Sequence, residues 1–212
     1  MPNRPSASLQ LRRAFRRNLV YGLILVVLAA LTGSFVLGLA GLHDIFDGLL
    51  HYLHHKGAEW SRAGQKSRRN CVVVPLMTGF TSALLATSVV PVAYFAGRDL
   101  GRHLVVHDSG LTLGLAIGDL ALNGWIMRSL HGIEQDHAHT SWWHQIGDIA
   151  SSSFAIVALA LITLGANVKA DPIAALAGGI VILLICGYNM SQSWSHFQAH
   201  SGSHEHSSGH SH

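Results

Sequence analysis

Charged residues are scarce in this chain of 212 residues: they make up 12% of it, whereas a soluble domain carries about a quarter. Cysteine is scarce too, and two residues are far too few for a disulfide framework. The P-loop pattern G-x-x-x-x-G-K-[ST], the zinc-protease pattern H-E-x-x-H and the hydrolase pattern G-x-S-x-G are all absent. We therefore expect neither an ordinary cytosolic enzyme nor an ATP-driven pump of that kind.

Apolar residues make up 49% of the chain and gather in long runs. A membrane-spanning helix needs about 20 such residues, and lipid requires every backbone group to be bonded within the segment, which favours helices over open strands. Suitable stretches lie near Leu19–Leu42, Cys71–Ala96, Leu111–Met127, Ile149–Val168 and Pro172–Met190, and a sixth, more polar one runs from Ser34 to about His55.

The first stretch is better divided in two. As a single span it would place the N-terminal arginines and the cations of residues 43–69 on opposite sides of the membrane, which the positive-inside rule disfavours. A tight turn at Thr32-Gly33-Ser34 gives spans of roughly 15–33 and 35–56 and leaves only three cations outside. The prediction is an all-α membrane protein with six transmembrane helices and with cytoplasmic N- and C-termini, in a bacterial cytoplasmic (inner) membrane.

Three regions follow from this topology: a basic cytoplasmic N-terminus over residues 1–14, a six-helix transmembrane domain over 15–194, and a disordered His-rich cytoplasmic tail over 195–212. Because topology accounts for the arginines, the net charge of +3 requires no nucleic-acid partner. A segment of Ser, Gly and His cannot bury a core. The tail is either a solubilising extension or a metal-collecting arm that includes His200, His204 and His206.

Histidine is abundant, with 16 residues against 14 Lys plus Arg, and two histidines lie inside spans in a repeated pattern. His43 and Asp47 are four residues apart, and His144 and Asp148 repeat that spacing about 100 residues later. One helical turn places each pair on nearly one face. Two facing pairs supply two nitrogen and two oxygen ligands, a tetrahedral set that Zn²⁺ accepts, with Co²⁺ and Cd²⁺ as further candidates.

Several other polar residues allow more than one functional interpretation. Asp119 and Asn123, one turn apart, either orient the metal ligands, carry protons, or hydrogen-bond between helices. His51 continues the stripe after Asp47, either as a histidine at a helix end or as part of a relay for metal or protons. The segment 131–139, with His137 and His139, either hands metal to the site or is a solvated loop.

Two segments resemble the cation diffusion facilitator (cation efflux) family of metal exporters. Thr32-Gly-Ser-Phe-Val-Leu-Gly-Leu-Ala-Gly-Leu-His43-Asp-Ile-Phe-Asp47 is similar to the second-span signature of the family. His144-Gln-Ile-Gly-Asp148-Ile-Ala-Ser-Ser, followed by Ala170-Asp171-Pro172, is similar to its fifth and sixth spans. The likeness covers about residues 15–194.

The resemblance implies a homodimer that exports divalent metal, Zn²⁺ first, against protons by alternating access. Its four-ligand site maps onto His43, Asp47, His144 and Asp148. The chain departs from the family at Ala40, where members often have an acidic residue. It also has few residues after the last span, so we expect a member without the C-terminal cytoplasmic domain that dimerises through its transmembrane helices. The alternative is a membrane metal sensor or buffer without net flux.

Overall fold

Six helices form the described part of the chain, which in the computed structural model comprises residues 7–62, 74–100, 106–130, 136–165 and 169–201. They are α1 (Ala7–Thr32), α2 (Phe35–Arg62), α3 (Val74–Asp99), α4 (Ser109–Leu130), α5 (Asp136–Thr163) and α6 (Ala170–Ser201). Those residues contain no strand. The predicted all-α fold of six helices is confirmed.

The turn between α1 and α2 lies where the sequence predicts it. Gly33 has a φ of 74°, in the left-handed region that side chains disfavour. Its backbone N–H donates to the carbonyl of Ala29 at 2.8 Å, which satisfies one of the free carbonyls at the end of α1. The chain therefore reverses within three residues, and α1 and α2 run antiparallel as separate helices.

Close contact between glycines holds α1 against α2. A Cβ atom on Gly41 would lie 2.8 Å from the carbonyl oxygen of Gly22 and 2.8 Å from the backbone nitrogen of Val26. A Cβ atom on Gly22 would lie 2.7 Å from the carbonyl oxygen of Gly41. Only hydrogen fits at these two positions, so small residues allow the two backbones to approach, as is typical of membrane helices.

The distribution of side chains is the reverse of that in a soluble protein. Large apolar side chains point outward, among them Val27, Phe80, Tyr94, Ile180 and Leu184, while acids and histidines are buried inside the bundle. Among the described residues, four helices are long and apolar enough to cross a membrane: α1, α3, α4 and α6. The apolar part of α5, Asp148–Thr163, is shorter, and α2 carries the acids and histidines described below.

We name the two ends of the bundle by their composition. The basic end is where α1 begins and α2 ends, and it carries Arg12, Arg13, Arg16, Arg17, Lys56 and Arg62. The turn end is the opposite one, where Gly33 joins α1 to α2.

Two helices extend past the boundaries that the sequence suggests for the bundle. α1 begins at Ala7 rather than near residue 15, because Leu11 and Ala14 are buried against Ile126 of α4. α6 continues to Ser201, so residues 195–201 are helical and not part of a disordered tail. The rings of Trp194 and Phe197 stack there with centroids 5.8 Å apart, which supports the additional turn. Residues 202–212 lie outside the described residues.

A carboxylate from α6 caps the start of α2. Asp171 lies in the first turn of α6, and its side chain is turned to α2. The carboxylate accepts hydrogen bonds from Ser34 Oγ at 2.6 Å and from the backbone nitrogen of Phe35 at 2.7 Å. The hydroxyl of Ser34 in turn lies 3.3 Å from the backbone nitrogen of Leu37. These bonds satisfy N–H groups that a helix start leaves free.

Replacing Asp171 with alanine is expected to lower the free energy of unfolding by about 1–2 kcal/mol, because the buried N–H groups of α2 lose their acceptor. The measurement is the thermal unfolding midpoint of the purified protein in detergent. Glu59→Gln is the control, since it removes a carboxylate that is exposed at the basic end. Equal midpoints for the two variants would contradict the capping role.

Candidate metal site

Three potential metal ligands meet between α2 and α5. One ligand atom each from His43, Asp47 and Asp148 lies within 4.8 Å of the other two. His43 Nε2 contacts Asp148 Oδ1 directly, although the two residues are 105 positions apart in sequence. The three residues are 2%, 1% and 1% exposed. The structure therefore brings together three of the four residues that the two spacings single out.

The fourth residue, His144, belongs to α5 and precedes Asp148 by one turn. Its side chain lies outside the described residues. The backbone of α5 gives it the same relation to Asp148 that α2 gives His43 to Asp47, because both pairs are separated by four helical residues. Each helix therefore carries one histidine and one aspartate that are one turn apart in sequence.

The chemistry of this group suits a borderline divalent cation. A tetrahedral zinc ion bound at 2.0–2.2 Å places its ligand atoms about 3.4 Å apart. The three ligand atoms lie within 4.8 Å of one another, which is close to that separation. Two carboxylates would offset the charge of a doubly charged ion, which matters for residues removed from water. Nitrogen and oxygen donors together disfavour Mg²⁺ and Ca²⁺, which take oxygen ligands alone.

A hydrogen-bond network from α4 reaches the turn that follows Asp148. Ser152 Oγ lies 2.6 Å from Asp119 Oδ2 and 2.9 Å from the carbonyl oxygen of Asp148. Asn123 Nδ2 lies 3.2 Å from Asp119 Oδ1 and 3.5 Å from Ser152 Oγ. Asp119 and Asn123 thus join α4 to α5 by hydrogen bonds, one of the alternatives that the sequence leaves open. Through Ser152 they also hold the part of α5 that carries Asp148.

Asp44 faces away from the three-ligand group, although it follows His43 directly. A Cβ atom on Gly22 of α1 would lie 2.9 Å from Asp44 Cβ, so the side chain lies along the α1–α2 contact. Asp119 of α4 lies close to it.

The histidines that follow Asp47 on α2 are buried rather than exposed at a helix end. His51, His54 and His55 are 0%, 2% and 6% exposed. Their side chains are therefore packed inside the protein. The histidines proposed for peripheral metal capture are less well described. His137 and His139 fall in the first turn of α5 and His200 in the last turn of α6, with side chains outside the described residues, as are His204 and His206 entirely.

Two polar residues near the site are not predicted from the sequence. Ser152 follows Asp148 by one turn, and that spacing was available as a signal that it shares a face with the aspartate. Asn18 of α1 is fully buried, and within the described part of the chain neither atom of its amide has a hydrogen-bond partner. Nothing in the local sequence marks Asn18, because its burial depends on α2 packing against α1.

The family model described as the cation efflux transmembrane domain matches residues 71–193, which is more than half of the chain and includes α3, α4, α5 with Asp148 and most of α6. A search of the curated proteins finds no match to this chain.

Proposed function

The chain belongs to the cation efflux family, and from this premise we propose that it is a divalent metal exporter, with Zn²⁺ as its principal substrate. Membership of this family directly supports a membrane-embedded transporter of metal cations. The finer proposal is that the ion crosses through one four-ligand site made of His43, Asp47, His144 and Asp148. Cd²⁺ and Co²⁺ would enter the same site because they accept similar donors.

The observation that carries this proposal is the convergence of His43, Asp47 and Asp148 inside the bundle. Ionisable groups within membrane helices are costly and are kept where they bind ions or protons. Each of the three is at most 2% exposed, so water contributes little to their solvation in this arrangement. A bound divalent cation would supply the missing counter-charge for the two carboxylates.

Alternating access is the mechanism that we propose, and the placement of the ligands on two different helices supports it. A change in tilt between α2 and α5 would open the site toward one end of the bundle or the other while keeping each His–Asp pair intact. Imidazole and carboxylate groups bind protons in competition with metal, so a proton gradient can drive release. The P-loop pattern is absent from the sequence, which leaves an ion gradient as the natural energy source.

Orientation and assembly are further parts of the proposal. The basic end carries six cations of α1 and α2, which favours a cytoplasmic location for that end and therefore for both termini. We place the protein in a bacterial cytoplasmic membrane as a homodimer formed through the transmembrane helices. Apolar side chains exposed on α3 and α6 offer surfaces for lipid or for the partner subunit.

Zinc flux in proteoliposomes should depend on a pH gradient. We expect uptake of Zn²⁺ by liposomes with an acidic lumen, since protons leaving the lumen would exchange for the metal. With equal pH on both sides, uptake should fall to the leak of empty liposomes. Binding in detergent should also weaken below about pH 6, where histidine takes up a proton. A zinc-sensitive dye in the lumen measures the flux, and calorimetry measures the binding.

Two results would contradict parts of this proposal. Protein that binds zinc but shows no flux under any gradient would instead be a membrane sensor or buffer. Flux that is equal with and without the pH gradient would leave transport in place but remove proton exchange as its driving force. An ionophore that collapses the gradient serves as the control within each preparation.

A further inference from the structure

Three more histidines continue the line of His43 and Asp47 along α2 toward the basic end. His51 lies one turn after Asp47, and His54 and His55 lie one turn further on. All three are at most 6% exposed. Burying polar groups costs free energy unless they find partners, and three buried imidazoles in little more than one turn are unusual in a membrane helix.

The spacing forms a regular series. His43, Asp47, His51 and His55 are each four residues apart, so successive side chains rise by about 6 Å along the helix. Because four residues exceed one full turn slightly, the series also winds around α2. His43 meets Asp148 of α5 at one extreme, and His55 meets Ser8 of α1 at the other, where Nδ1 lies 3.0 Å from Ser8 Oγ.

The series ends on a carboxylate that is open to solvent. His55 Nε2 lies 3.4 Å from Glu59 Oε1, and the side chain of Glu59 is 43% exposed. Lys56 Nζ donates a hydrogen bond of 2.9 Å to Glu59, and this bond lowers the pKa of the Glu59 carboxyl. The carboxylate is therefore negative at neutral pH. It provides an anionic ligand at an end of the bundle where six cations would otherwise repel a divalent ion.

Asn18 supplies a further oxygen beside the middle of the series. It is fully buried, and neither amide atom has a hydrogen-bond partner among the described residues. A Cβ atom on Gly48 would lie 3.5 Å from Asn18 Cβ, which places the amide next to the turn of α2 that runs from Asp47 to His51. An unsatisfied buried amide costs free energy, and the amide oxygen would gain a partner whenever a cation binds to it.

We propose that His51, His54 and His55, with Asn18 and Glu59, form a second set of cation-binding positions, the α2 relay, that passes divalent metal between the basic end and the His43–Asp47–Asp148 group. This inference rests on the proposed function. Within the described residues, only that group brings three ligand atoms within 4.8 Å of one another. Each position along the α2 relay thus offers the metal ion only a few ligands. This suits transport, because an ion moves along a series of sites only if each site binds and releases it quickly.

The test is the rate at which zinc loads the purified full-length protein in detergent, followed by stopped flow against a competing dye. The triple variant His51→Gln, His54→Gln, His55→Gln should load at least about 10-fold more slowly, while the equilibrium affinity of the main site stays within about twofold of wild type, because a relay speeds binding and release alike. His107→Gln is the matched control, since His107 is exposed near the turn end, and it should load at the wild-type rate.

Unchanged loading by the triple variant would overturn the α2 relay. Unchanged loading with slower proton release on zinc binding would also overturn it and would make these histidines a proton path. If the triple variant does not fold, the single variant His51→Gln is measured instead, and it should load zinc more slowly than the wild type. A wild-type protein that loads zinc but shows no flux in liposomes defeats the proposed function, whereas the loading rates still decide the α2 relay.

Discussion

Replacing Asp148 with asparagine is expected to reduce gradient-driven zinc flux to the leak of empty liposomes. The amide keeps the size of the carboxylate, so the packing of α5 should persist, but it removes one of the two negative charges available to a buried divalent ion. Its oxygen is also a weaker ligand than a carboxylate. We expect the zinc affinity in detergent to fall at least about 100-fold, since changes even to residues that only support a metal ligand cost 10–100-fold. Asp47→Asn should behave in the same way.

Asp99→Asn is the matched control for these substitutions. Asp99 is also a buried aspartate, 6% exposed, but it lies at the end of α3 beside Arg98 and is not part of the three-ligand group. We expect wild-type flux from this variant. A chain that ends at Ser201 should also transport zinc, and only its apparent affinity for zinc should fall. Flux by Asp148→Asn at the wild-type rate would show that the ligand assignment is wrong, as would a truncated chain as inactive as Asp148→Asn.

The structure bears out those sequence inferences that depend on one helix or one turn. The reversal at Gly33 follows from local residue preferences, and the spacing of His43 and Asp47 fixes their common face before any neighbour is known. The helical period also predicts that Asp148 shares a face with the residue one turn before it. Convergence of the two helices was then the simplest arrangement that pairs these polar faces inside an apolar bundle.

Contacts between distant helices could not be predicted in this way. Asp171 belongs to α6, and only the packing of α6 against the turn end reveals that its carboxylate caps α2. The hydrogen bond from Ser152 to Asp119 likewise depends on which helix covers the face of α5 that carries Asp148. Periodicity identifies a polar face, whereas tertiary packing decides its partner. The start of α1 was missed for the same reason, since Leu11 is buried by α4.

Replacing Gly41 with alanine is expected to lower the free energy of unfolding by about 3 kcal/mol, at the upper end of what overpacking costs. The added methyl group would lie 2.8 Å from the carbonyl oxygen of Gly22, and a backbone atom cannot rotate away as a side chain can. α1 and α2 must therefore separate. Because Gly41 precedes His43 by two residues, the same displacement moves His43 and Asp47 relative to Asp148, so the zinc affinity should fall together with stability.

Gly124→Ala distinguishes this steric effect from the general effect of replacing a helical glycine. Gly124 lies within α4, and a Cβ atom there would meet nothing within 4 Å. Alanine at this position should leave stability unchanged or raise it by up to about 1 kcal/mol, since glycine is a poor helix former. Thermal unfolding midpoints and zinc affinities of both variants in the same detergent provide the comparison. If Gly41→Ala matched Gly124→Ala in both measurements, the close approach of α1 and α2 would not be what positions the ligands of α2, and the argument that links helix packing to the metal site would fail.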